Sequence, residues 1–164
     1  IIKLIKIIKL NKENINHCIN LIFCNKEDFD YFQQIGWSKK QYLNQIDKKI
    51  NYSFGISKNK KIIGFIIGDL INVEKKSEYE ILLIYIEKKL RNKGYATFLI
   101  KKIIKLLSKQ NLKKIFLEVS EKNIQAISFY EKNKFIRVGY RHGYYKRHID
   151  KKENAIIYVK NINE

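Results

Sequence analysis

The chain is expected to fold as a single α/β domain with helices laid on one mixed sheet. Three observations predict this. A length of 164 residues suits one domain and is enough to enclose a real core. Hydrophobic content of 45% and aromatic content of 13% belong to a packed globule, not to a disordered chain. Strand-like and helix-like runs follow one another in the order β-α-α-β-β-β-α-β-α-β-β, with no linker, repeat or low-complexity block, so residues 1–164 read as one domain.

The elements follow from local pattern. "IIKLIKIIKL" is rich in β-branched Ile and stops at Asn11, which predicts a first strand. Ile15, Cys18, Ile19 and Ile22 recur at helical spacing, with Asn11 as the expected cap. "GWSKKQYLNQI" restarts a helix at Ser38, with Tyr42, Leu43 and Ile46 on one side. "YSFGIS" and "KIIGFIIGDLI", joined by "KNK", predict a hairpin, and "YEILLIYI" (79–86) a further strand. After the loop "LRNKGYA", the run "ATFLIKKIIKLLSKQ" sets Phe98, Leu99, Ile103, Leu106 and Leu107 in a helical stripe opposite lysines. "LKKIFLEV" is a strand. "NIQAISFYEKN" is a short helix capped by Asn123, with Asn133 the expected left-handed exit. "FIRVGYR" and "NAIIYVKNI" close as strands around a Tyr-rich connection.

The net charge is +18, yet the cations are almost all Lys, with arginine only at 91, 137, 141 and 147. Lys, Asn and Ile are the residues that AT-rich coding overproduces, whereas base-reading surfaces favour the planar fork of Arg. Two readings of the charge stand, codon composition and binding to a phosphate-rich partner. The scarcity of Arg favours the first, so nucleic acid is not the expected partner; an anionic ligand in one pocket is compatible with both. Cys18 and Cys24 are the only cysteines and form neither a metal quartet nor a disulfide framework, so they read as thiols of a reducing compartment. No run approaches the roughly 18 apolar residues of a membrane span. Lys3, Lys6 and Lys9 interrupt the opening run, which lacks the build of a secretory signal. A cytoplasmic protein is expected. Its start at Ile1, without Met, fits a trimmed or incomplete N-terminus.

"LRNKGYA" joins a strand to the longest helix, where unpaired N–H groups and the helix dipole favour a phosphate. Gly94 lets the backbone turn and approach a ligand, Ala96 keeps the next close position small, and Arg91 and Lys93 add positive charge. The stretch Arg91-Asn92-Lys93-Gly94-Tyr95-Ala96 resembles the Gln/Arg-x-x-Gly-x-Gly/Ala signature with which the GNAT acetyltransferase superfamily holds the acetyl-CoA pyrophosphate. It lies between the fourth strand and the long third helix, as in that superfamily. "FLEVSEKNIQAISFYEKNKF" resembles the second half of the GNAT core, and the likeness spans residues 52–160. "GWSKKQY", "GYYK" and "ENAIIYVKNI" look like the RimI branch, bacterial alanine acetyltransferases acting on the N-terminus of a small-subunit ribosomal protein. Two departures, the missing proline before the loop and "NKF" in place of Leu-Gly-Phe, leave the chemistry untouched.

The resemblance implies a mostly antiparallel GNAT sheet, acetyl-CoA as co-substrate, no metal, and direct attack of an amine on a thioester. By the same resemblance Glu118 is the proton acceptor and Tyr130 the proton donor to the leaving thiolate. Strand alternation sends Glu118 to the face opposite Leu117 and Val119. Main-chain groups of Ile84, Tyr85 and Ile86 would pair with the pantetheine arm, Arg91 to Ala96 would hold the pyrophosphate, and Asn123 would contact the cofactor. Trp37, Tyr144 and Tyr145 match positions lining a peptide slot, and Glu80 points to the same cleft as a reserve base. The implied partner is a protein N-terminus, on a ribosomal protein in the RimI branch; no membrane is implied, and the chain is expected as a monomer or weak dimer. An acceptor α-amine, with a pKa near 7.7–8.0, loses its proton at about 3 to 4 kcal/mol less cost than a lysine. Two alternatives stand beside this reading. One is a GNAT acting on a small amine or a lysine side chain; the other is a basic nucleic-acid or ribosome-binding module with a vestigial cofactor site. A basic ribosomal peptide would call for an acidic patch, for which Glu27, Asp28, Asp30, Glu78 and Glu80 are candidates.

Overall fold

The structure, a computed structural model, describes residues 5–148 and 151–162. In chain order it runs β1 (Ile5–Lys9), α1 (Ile15–Phe23), α2 (Lys26–Gln34), α3 (Lys39–Ile46), β2 (Phe54–Lys58), β3 (Lys61–Val73), β4 (Lys76–Ile86), α4 (Tyr95–Leu107), β5 (Leu112–Ser120), α5 (Ile124–Lys132), β6 (Ile136–His148) and β7 (Lys151–Asn161). The strands form one sheet in the order β1-β2-β3-β4-β5-β7-β6. β4 and β5 pair in parallel, and every other neighbouring pair is antiparallel. The expected mixed, mostly antiparallel sheet is present.

Helices cover both faces of this sheet. Ile15, Cys18, Ile19 and Ile22 of α1, with Tyr42 and Ile46 of α3, bury against Phe65, Ile67, Leu83 and Tyr85. On the other face, Leu99, Ile100, Ile103 and Leu107 of α4 and Tyr130 of α5 bury against Tyr79, Ile81, Leu117 and Val119. Each fully buried aliphatic side chain contributes roughly 1.5–3 kcal/mol, so these two layers supply the main driving force for folding.

The structure corrects the sequence reading at five points. Three helices, not two, separate the first two strands. α2 has a strongly polar sequence and no fully buried residue, and it is held by its cap, where the Asn25 side chain accepts from Asp28 N–H, and by Glu27 and Asp28 in its first turn. Asn11 does not cap α1; its side chain accepts from the N–H groups of Glu13 and Asn14 in a turn one step earlier. Leu106 is exposed, and Ile100 takes its expected place in the buried stripe of α4. The left-handed residue after α5 is Lys134, φ 63°, while Asn133 stays at φ −90° and turns its side chain back to the Phe129 carbonyl. Finally, most of the Tyr-rich connection is strand, extending β6 to His148.

Candidate active site

The site begins with a fork in the sheet. β4 and β5 pair from Ser77 opposite Leu112 to Ile81 opposite Leu117, and no further. Beyond that point β4 keeps β3 as its partner to Ile86, while β5 keeps β7 to Ser120. The β3–β4 register slips by one residue there: Ile67 lies opposite Leu83 but Gly68 opposite Ile81, which makes Leu82 an extra residue, a β-bulge. The bulge reverses which face the odd-numbered residues occupy. Tyr79 and Ile81 bury toward α4 and α5, whereas Leu83 and Tyr85 bury toward α1 and α3. Gly68 permits this close approach, because a Cβ there would lie 2.4 Å from the Glu80 carbonyl oxygen. The open edge of residues 82–86 thus faces a gap that β5 has left.

One cleft, of about 830 Å³, fills the gap on the α4–α5 side. Ile84, Tyr85, Ile86, Arg91, Asn92, Gly94, Tyr95, Ala96, Asn123 and Tyr130 all line it. Asn92 and Gly94 are both left-handed, at φ 59° and 80°, which curls the loop into α4. The first helical bond of α4 runs from Phe98 N–H to the Gly94 carbonyl, so the N–H groups of Tyr95, Ala96 and Thr97 precede the ladder. No acidic residue sits in the first turn to compete for them. Free N–H groups at a helix start in this arrangement suit an anion. The Arg91 guanidinium is bound sideways: Nε donates to the Ile86 carbonyl at 3.0 Å and Nη2 pairs with Asp28 at 2.6 Å. Asp28 also accepts from the Tyr85 hydroxyl at 2.8 Å, so one α2 carboxylate locks loop and strand together. Lys93 donates to the Lys89 carbonyl and lies outside the lining. The Asn123 side chain caps α5 through Ala126 N–H and donates to the Tyr31 hydroxyl at 3.2 Å. Burial pushes the Tyr130 phenol above its ordinary pKa and keeps it a neutral donor.

A second cavity, of about 530 Å³, opens on the opposite side of the fork. Trp37, Glu80, Glu118, Tyr144 and Tyr145 line it together, from four separate parts of the chain. Trp37 also packs on Tyr42, with ring centroids 4.9 Å apart, so it serves core and cavity at once. Glu118 accepts from Arg141 Nη1 at 2.7 Å. Burial, then the charges of Glu118 and Asp69, raise the Glu80 carboxyl above the usual range. Burial followed by the charge of Glu118 raises the Tyr144 hydroxyl. Burial, followed by the neighbouring Tyr31, Tyr144, Glu118 and Tyr130, raises the Tyr145 hydroxyl. A carboxylate pair on one side and an amide cradle on the other suit transfer of a group from an anionic donor to an amine.

A family model described as "Acetyltransferase (GNAT) family" matches residues 21–135. The chain belongs to the GNAT acetyltransferase family. An uncharacterised N-acetyltransferase of Methanocaldococcus jannaschii is 28% identical over 138 residues, 80% of this chain and 61% of that protein. The chain therefore spans about three fifths of that relative's length. Among solved structures, the ribosomal-protein-S18-alanine N-acetyltransferase of Escherichia coli superposes with a TM-score of 0.76 at 22% identity, covering 98% of this chain and 96% of that one. Arabidopsis thaliana NAA60 in complex with acetyl-CoA gives 0.75 at 17% identity, covering 97% and 100%. At these identities the two structures speak for the fold.

The acyl donor of a GNAT acetyltransferase is acetyl-CoA. The residues present fit it: the amide cradle suits a diphosphate, and the unpaired edge of β4 suits an extended arm bearing amides. Sequence reasoning missed the Leu82 bulge, Tyr31 and Arg141, and it offered Asp28 to an acidic patch, whereas the structure pairs it with Arg91 and Tyr85. Asp28 and Arg141 act through pairings 63 and 23 residues away, and no local pattern signals those. Gly68 inside an apolar strand was the one available clue to the bulge.

Proposed function

We propose that this GNAT enzyme acetylates the N-terminal α-amine of a protein, with Glu80 and Glu118 facing the acceptor and Tyr130 facing the donor's sulfur. The supporting observation is that β4 lines two cavities in succession where β5 leaves it, Glu80–Leu82 in one with two carboxylates and aromatic walls and Ile84–Ile86 in the other with free helix N–H groups. Acetyl-CoA supplies an activated thioester carbonyl. Ile84, Tyr85 and Ile86 offer main-chain groups along its arm, Arg91, Asn92 and the Gly94–Ala96 turn hold its diphosphate, and Asn123 stands beside it. The amine nitrogen forms a bond to the carbonyl carbon, the C–S bond breaks, and the amine's proton passes to a carboxylate, directly or through water. Tyr130 donates a hydrogen bond to the departing thiolate. Full proton transfer from a phenol near pKa 10 to a thiolate near 8.5 is uphill by about 2 kcal/mol, and burial increases that, so hydrogen bonding is its chief contribution.

No thiol lines either cavity, which supports direct transfer over an acyl-enzyme route. Cys18 is buried in α1, its pKa pushed up to about 12 by burial, and Cys24 is exposed at the end of that helix. The slot between Trp37 and Tyr144–Tyr145 favours an extended chain end, and the lower pKa of an α-amine relieves the base of about 3 to 4 kcal/mol compared with lysine. An alanine N-terminus of a ribosomal protein is the specific acceptor suggested by the motif likeness to the RimI branch. The test is acetyl transfer to short peptides beginning with Ala, Ser, Met or Gly, each with a free or blocked N-terminus, read by mass spectrometry. Acetylation of the free series alone is expected. Transfer to internal lysines, or to small amines alone, would overturn the reading.

A further inference from the structure

The charges around the acceptor cavity carry a conclusion about its substrate, one that rests on the N-terminal reading above. We propose that Arg141 selects acceptors bearing a carboxylate within the first residues after the reacting amine, making acidic N-termini the preferred substrates. The Arg141 side chain is 54% exposed, while its partner Glu118 is 18% exposed and lines the cavity, so the guanidinium stands at the mouth and the carboxylate inside. Its guanidinium carbon lies 4.2 Å from the centroid of Tyr144, a wall residue, and its charge also reaches Glu80. One Nη–H is spent on Glu118. A guanidinium has five N–H donors in a planar fork, so further donors can engage an incoming carboxylate.

The carboxylates that would welcome a basic peptide are otherwise engaged. Glu27 is paired with Lys88 at 2.6 Å, Asp28 with Arg91 at 2.6 Å and Glu78 with Lys114 at 2.7 Å. Glu80 is recessed within the cavity, and Asp30, exposed on α2, lines neither cavity. With a net charge of +18 around them, these pairs leave a field that repels a cationic chain end and draws an anionic one. A basic chain end is accordingly the poorer acceptor, and a ribosomal protein would serve as substrate where the residues after its alanine are acidic or neutral. The amine itself enters as the neutral base and meets Glu80 and Glu118 past the arginine.

The experiment compares kcat/KM for peptides of one common tail starting Ala-Asp-Glu, Ala-Ser-Gly and Ala-Lys-Lys, with acetyl-CoA, on wild type, R141K, R141Q and R141E. A charge-assisted hydrogen bond predicts an acidic-over-basic ratio of about 10 to 100 in wild type. The ratio should survive in part in R141K, fall to about 2 in R141Q and invert in R141E. Calorimetry with coenzyme A checks that each variant keeps its donor cleft. A wild type indifferent to the second and third residues, or one favouring Lys, overturns the proposal. So does an R141Q variant that keeps the full ratio, since the overall field would then be responsible. Failure to acetylate any free N-terminus, with transfer to lysine or a small amine instead, would sink the N-terminal reading itself and is separately visible.

Discussion

At the scale of single residues, Glu80 and Glu118, the two carboxylates proposed to face the acceptor, have different surroundings and so different expected phenotypes. Glu118→Gln should lower kcat by about 10² to 10⁴, the usual worth of a positioned base, with coenzyme A affinity by calorimetry unchanged. Glu80→Gln should also slow turnover, and it carries a stability signature. The folded-state pKa of Glu80 is raised, chiefly by burial, so between its unfolded and folded pKa values the native state holds the extra proton. The contribution of this group is fully present below about pH 4.3 and is lost as pH rises through the folded value. The Gln variant should therefore melt higher than wild type at pH 8, and the gain should vanish near pH 4; a loss at pH 8 would contradict that sign. Gly94 answers to backbone conformation, since it sits at φ 80° with open space where a Cβ would go. Gly94→Ala should cost about 1–2 kcal/mol in urea unfolding and weaken acetyl-CoA binding, because a left-handed alanine is strained without any clash.

At the scale of elements, the bulge in β4 turns an ordinary sheet into a site. Gly68→Ala drives a Cβ against the Glu80 carbonyl and the Tyr79 ring, and should destabilise the fold by about 1–3 kcal/mol. It should also depress kcat, because Glu80 and the open edge of residues 82–86 hang on that register; unaltered urea midpoints would refute this. How much of this was legible in sequence differs by element. The passage from β4 through the Gly94 loop into α4, the Asn123 cap and the Ser38 cap could all be read locally, because each is set by residues a few positions apart. So could the facing of Glu118, since alternation along β5 is unbroken from Leu117 to Val119. α2 could not, because its apolar residues Phe29 and Phe32 are too few to mark a stripe and its stability comes from a cap and from Asp28's long-range pairing. The length of β6 was hidden by glycines and tyrosines that read as a loop and in fact ladder, irregularly, against β7. The Arg141–Glu118 pair was invisible for the same reason that it matters: it exists only once β5, β7 and β6 are side by side.

At the scale of the whole molecule, a charge of +18 in a family whose donor, acetyl-CoA, carries a diphosphate and a further phosphate predicts long-range attraction between them. Raising salt from 50 to 500 mM should reduce kcat/KM for acetyl-CoA several-fold by slowing capture, with kcat little altered; stopped-flow or initial-rate measurements would show it, and a salt-independent kcat/KM would exclude steering. Three of the four arginines lie along β6, and two of them, Arg137 and Arg141, stack on tyrosines of that strand. The fork has a last consequence. Its two prongs answer to different neighbours, β4 to β3 and β5 to β7, so under the proposed roles the β4 edge offered to the donor and the β6–β7 wall offered to the acceptor would change separately. Replacing the β6–β7 hairpin with that of another member of the family should retune which chain ends are accepted while the grip on the nucleotide stays as it was, and this division lets one scaffold diversify its clients without relearning its fuel.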